Sequence, residues 1–103
     1  MKLSDKKTEL INLILMCLDN KCTLESLQEF AWEIIDYFNT TKKTALPPYQ
    51  DFEKEFWYTI WQIQHLADQE HEKEGITIKI LIGALEYLQK KKKIPDSFVS
   101  RRP

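Results

Sequence analysis

Apolar residues recur along this chain with the period of an α-helix, in four blocks separated by short polar stretches. In the first, from Ser4 to Asp19, the run Leu10, Ile11, Leu13, Ile14, Leu15, Met16, Cys17 and Leu18 covers almost the whole circumference over two turns. A helix apolar on every side has to be covered on several, so this one is predicted to sit centrally, with Ser4 or Asp5 as N-cap. Any part left uncovered becomes a binding patch.

Asp19, Asn20, Lys21 and Cys22 read as a turn, and Thr23 as the N-cap of a second helix running to Phe38. Leu24, Leu27, Ala31, Ile34, Ile35 and Phe38 form its core stripe. Asn39 to Gln50 is the longest irregular stretch, with three threonines and the Pro47-Pro48 pair opposing helix. A third helix, the longest, is predicted over Tyr49 to Glu72. It turns Phe52, Phe56, Ile60, Ile63 and Ala67 inward and carries Trp57, Trp61, Gln64 and Asp68 on the adjoining stripe. Gly75 is expected to end it in a left-handed C-cap. Thr77 then caps a fourth helix with Ile78, Leu81, Ile82, Leu85 and Leu88 inward. Gly83 within it costs ~1 kcal/mol against alanine, a cost that a close approach by the bulky third helix would explain. Lys90 to Lys93 fall in the last turn, where cations complement the helix dipole, and Pro95 stops the helix. There is no internal repeat and no glycine-rich loop. These elements predict an all-α fold: a single-domain antiparallel four-helix bundle over residues 1–94, with a flexible tail at 95–103.

Composition narrows the class. With 43% hydrophobic and 30% charged residues and only two glycines in 103, the chain suits a packed helical domain and not a disordered one. No apolar run approaches the ~20 residues that span a bilayer. The N-terminus, MKLSDKKTEL, is broken by charges and has no cleavage site behind its apolar stretch, so a cytoplasmic protein is expected, with Cys17 and Cys22 as reduced thiols. The net charge of −1 hides a segregation: residues 19–74 hold twelve acids and five bases, whereas residues 75–103 hold seven bases and two acids. Such asymmetry bears on partners and association rate.

Catalytic chemistry has little foothold. Cys17, Cys22, His65 and His71 do not match zinc-ligand spacing, and the two histidines stand six residues apart, on different faces of a helix. No serine sits in a nucleophile elbow, and the carboxylates are strung along polar faces. No enzyme, metal or cofactor is expected. The lysine run at 90–93, with Arg101 and Arg102, has the charge to touch phosphates, but it reads as helix-end solvation. The second helix is acidic and would repel nucleic acid.

What remains is the polar face of that helix. Glu25, Glu29 and Glu33 stack along one ridge at i, i+4, with Asp36 beyond them and Trp32 among the acids instead of on the core stripe. Like charges at that spacing destabilise a helix by a few tenths of a kcal/mol per pair. A large aromatic among them suits a surface that meets a basic partner: an apolar anchor ringed by charges that steer association. The bland reading is a solvated face with its tryptophan tucked under a neighbouring helix. Asp68, Glu70, Glu72 and Glu74 form a second acidic patch.

Two segments carry a family resemblance. LINLILMCLDNKCTLESLQEFAWEII joins an apolar helix to a Thr-capped helix ending in aromatics. FEKEFWYTIWQIQHLADQEHEKEGITIKILIGALEYL runs a long aromatic helix into an acidic stretch and then Gly-Ile-Thr. Over residues 8–90 this pattern resembles the colicin D-type immunity proteins and the small helical immunity proteins of contact-dependent growth inhibition systems, although the long Pro-Pro connection departs from it. The resemblance implies a cytoplasmic inhibitor, a monomer or 1:1 heterodimer. It would bind a cognate toxin domain, often an RNase acting on tRNA, by covering a basic active site with acidic side chains, with no nucleic-acid or membrane partner. Within this chain the residues expected to carry that contact are Glu25, Glu29, Trp32, Glu33, Asp36, Asp68, Glu70, Glu72 and Glu74. From other classes, the alternatives are a helical regulator or antitoxin-like adaptor touching nucleic acid through its basic end, and a structural subunit that dimerises through the first helix.

Overall fold

The structure, a computed structural model, describes residues 2–46, 48–66 and 74–94. Among these the chain is all-α, with helices α1 (Leu3–Leu18), α2 (Leu24–Thr40), α3 (Glu53–Leu66) and α4 (Glu74–Leu88) and a 3-10 turn at Lys43–Ala45. Helix α1 packs on α2 and α4, and α3 packs on the same two, so contacts between successive helices close into a cycle. No helix among the described residues is long and apolar enough to cross a membrane.

The core lies where the four inner stripes meet. Leu10 and Ile14 of α1, Leu27, Ala31 and Ile34 of α2, Phe56, Ile60 and Ile63 of α3, and Leu81, Ala84 and Leu88 of α4 are buried together. Each large apolar side chain so enclosed contributes about 1.5–3 kcal/mol relative to exposure. An aromatic contact ties α2 to α3: Phe38 meets Trp57 edge to face at 5.0 Å between ring centroids, and Trp57 meets Phe56 of its own helix likewise at 4.9 Å. Phe30, Tyr58, Ala84 and Tyr87 are also buried, although the linear pattern did not assign them inward.

Thr23 is the N-cap of α2 as its sequence position predicts, with its hydroxyl accepting the Ser26 N–H at 3.3 Å. The turn before it is a Schellman closure. Asn20 takes the left-handed conformation (φ 59°), its N–H donates to the Cys17 carbonyl, and the Lys21 N–H donates to the Met16 carbonyl.

Several sequence expectations are corrected. Helix α1 starts one residue early, with Lys2 at the N-cap and no side-chain cap from Ser4 or Asp5. Nor is it central: Leu15 and Met16 remain exposed, while its inner side packs on α2 and α4. Helix α2 continues through Asn39 and Thr40, where the Thr40 hydroxyl donates to the Asp36 carbonyl at 2.8 Å. Helix α3 begins at Glu53 instead of Tyr49. Trp57 is buried on its α2 side and does not merely flank the core. Gly75 is no left-handed cap; it lies in the first turn of α4, which begins before Thr77, and no described glycine has positive φ. Ile78 and Ile82 are each 47% exposed, since the inner stripe of α4 runs through Leu81, Ala84 and Leu88 and leaves them on its flank.

Gly83 makes no close approach to α3. Among the described residues a Cβ there would meet only the Tyr87 ring, at an ordinary 3.9 Å. Finally, α4 ends at Leu88, well before Pro95, so Lys90–Lys93 follow the helix instead of filling its last turn. A second Schellman closure does this, with Lys90 left-handed (φ 58°), its N–H donating to the Tyr87 carbonyl, and the Lys91 N–H donating to that of Glu86. The chain then brings Ile94 down onto Tyr58 and Tyr87.

Candidate protein-binding face

The polar side of α2 follows from its helical period. With Leu27, Ala31, Ile34 and Phe38 turned into the core, Glu25, Glu29, Glu33 and Asp36 are driven outward, and all four are exposed. Trp32 goes with them. It is 59% exposed, the most exposed large apolar side chain among the described residues, so it is not tucked under a neighbour.

Trp32, Glu29, Glu33 and Asp36 line one shallow groove of about 360 Å³, open to solvent. Among the described residues none of these three carboxylates has a lysine or arginine within ion-pair distance; the ion pairs are Lys6–Glu9 and Lys21–Asp19. No ion pair among the described residues offsets the like-charge repulsion along the ridge. An indole face ringed by carboxylates attracts cations in two ways, through charge and through the ring quadrupole.

The structure thus brings together four of the nine residues expected at a binding face. Glu25 is exposed on the same helix, one turn before Glu29, and does not line the groove. Asp68, Glu70 and Glu72 lie outside the described residues, as does His71, and of Glu74 only its place at the start of α4 is described.

One carboxylate departs from the expectation that all lie on polar faces. Glu53 is 0% exposed. Its Oε1 accepts the Trp57 indole N–H at 3.0 Å and its Oε2 accepts the Gln50 backbone N–H at 2.6 Å, while its own N–H donates to the Gln50 carbonyl at 3.1 Å. These bonds replace water around a buried carboxyl group and tie the start of α3 to the segment before it. The signal was present in the sequence: the stripe Ile63, Ile60, Phe56, continued one turn back, reaches Glu53.

The cysteines are free thiols. Cys17 packs against the core, and burial, with a smaller effect from neighbouring Cys22, pushes its thiol above the usual range. A thiol so held is a poor nucleophile. Cys22 donates to the Leu13 carbonyl at 3.3 Å. No group of three or more potential metal ligands forms among the described residues. No family model matches the chain, and no curated protein or solved structure is detectably similar to it.

Proposed function

We propose that this chain is a non-catalytic immunity protein, acting in the cytoplasm, that binds and neutralises a cognate basic nuclease toxin domain through the acidic face of α2. The helices beneath would form an antiparallel four-helix bundle, a reading supported by the cyclic packing of successive helices. One observation carries the functional reading. Trp32 stands exposed in a groove rimmed by Glu29, Glu33 and Asp36, on a helix whose opposite face is fully committed to the core. An exposed indole gains from a partner that covers it, and carboxylates with no ion pair among the described residues gain from one that brings cations. A basic nucleic-acid-cleaving groove supplies both, because it is built to receive phosphates.

The test is a charge reversal. Glu29→Lys with Glu33→Lys should leave the helical circular dichroism unchanged, since both side chains are exposed. Binding to the toxin domain encoded beside this gene should weaken by tenfold or more, as ~1.4 kcal/mol or more of charge complementarity is lost. The association rate of the unaltered protein should fall steeply with salt. Unchanged affinity in the double variant removes α2 from the interface.

A further inference from the structure

The outer side of α4 carries a short pattern with a symmetry of its own. Leu81, Ala84 and Leu88 take the inner side of the helix into the core. The helical period then sets Lys79, Ile82, Gly83 and Glu86, at i, i+3, i+4 and i+7, together on the side away from it, over about 10 Å of helix. Ile82 and, one turn earlier, Ile78 are each 47% exposed. Lys79 is exposed, and Gly83 and Glu86 are half-buried. The ion pairs among the described residues, Lys6–Glu9 and Lys21–Asp19, include neither Lys79 nor Glu86. Nor does packing among the described residues call for a glycine at position 83, since a Cβ there has room.

We infer that two copies of this chain pair through this stripe, α4 against α4 and antiparallel, about a two-fold axis level with the Ile82–Gly83 peptide. Such an interface presents the same residues from both sides, so its charges have to complement themselves under the rotation. Lys79 and Glu86 stand equally far from the Ile82–Gly83 midpoint, on opposite sides of it. The rotation therefore sets Lys79 of each copy level with Glu86 of the other and forms two ion pairs at once. On one side of the seam Ile82 meets its counterpart, with Ile78 extending the apolar strip. On the other side Gly83 meets its counterpart and lets the two backbones approach closely. A glycine that costs ~1 kcal/mol in a helix interior and that packing within the chain does not require finds its use there. The polar face of α2 offers no such pairing, because the charges of Glu25, Glu29, Glu33 and Asp36 are all negative and two copies would repel. A foreign partner makes no demand for opposite charges placed symmetrically about one point, whereas a second copy does. The stripe is carried by a different helix from the Trp32 groove, so it stands whether or not the inhibitor reading does.

Sedimentation equilibrium of the full chain from about 5 to 500 μM tests the pairing. A monomer–dimer equilibrium is expected, with Kd on the order of 10–100 μM for a contact this small. Ile82→Gln and Gly83→Leu should each weaken it about tenfold or more, with the helical circular dichroism unchanged. Lys79→Glu alone and Glu86→Lys alone each set like charges opposite one another twice, and each should weaken it by about the same factor. An equimolar mixture of these two single variants should restore a dimer near the original affinity, because each copy then meets its opposite at both positions. The inference is overturned by a chain that stays monomeric at about 500 μM, or by a mixture that associates no better than either charge variant alone. It is also overturned by a dimer that persists unchanged in Ile82→Gln and in both charge variants, which would move the contact to another face, such as the exposed Leu15 and Met16 of α1.

Discussion

A carboxylate sealed from water is stable only when hydrogen bonds replace its hydration, and Glu53 has the Trp57 indole and the Gln50 amide to do so. Glu53→Ala removes the acceptor of the buried Trp57 indole N–H and of the Gln50 amide. It is expected to cost about 1–3 kcal/mol in urea unfolding, with Glu53→Gln milder because an acceptor oxygen remains. A cost under about 0.5 kcal/mol for the alanine variant, the range of surface substitutions, would mean the two donors are met some other way. The three tryptophans show how differently one residue type is used. Trp57 is enclosed, Trp61 lies along a ridge, and Trp32 faces solvent among acids. Their linear settings are similar, each being apolar within a mixed helix.

At the scale of single elements, helix boundaries follow local chemistry where that chemistry is strong. Thr23 caps α2 as its type dictates, and Asn20 accepts the left-handed turn that asparagine tolerates. Lys90 adopts the same conformation without that tolerance. Lys90→Gly is therefore expected to stabilise the protein by about 0.5–1 kcal/mol, the left-handed penalty less the entropy of glycine. Gly83 has the opposite character. It is a poor helix former with room for a methyl group, so Gly83→Ala should add about 1 kcal/mol. Both are read from the unfolding midpoint. A loss at position 83 would mean that α4 packs more tightly there than the 3.9 Å contact with Tyr87 implies.

For the whole molecule, the cycle of helix contacts decides which apolar residues become core. Helix α1 carries apolar residues nearly all round, yet its packing on α2 and α4 leaves Leu15 and Met16 in solvent. The same limit leaves Ile78 and Ile82 outside. Trp57→Ala is expected to cost about 3–5 kcal/mol through the cavity it opens between α2 and α3. Trp32→Ala should change stability by less than about 0.5 kcal/mol, as for an ordinary surface position. Thermal or urea unfolding of the pair measures this directly. Were Trp32→Ala as damaging as Trp57→Ala, the indole would be structural and not available to a partner.

Local pattern was enough to determine the helical class, the Thr23 cap, the inward stripes of α2 and α3, and the outward acids of α2, because each depends on a period or a cap set within a few residues. Packing alone decided that Ile78 and Ile82 stay exposed. It also left Trp32 in the open and set Lys92 over the Tyr87 ring. Those outcomes depend on which surfaces meet across helices far apart in the chain, and a helical period states only which residues share a face, not what lies against it.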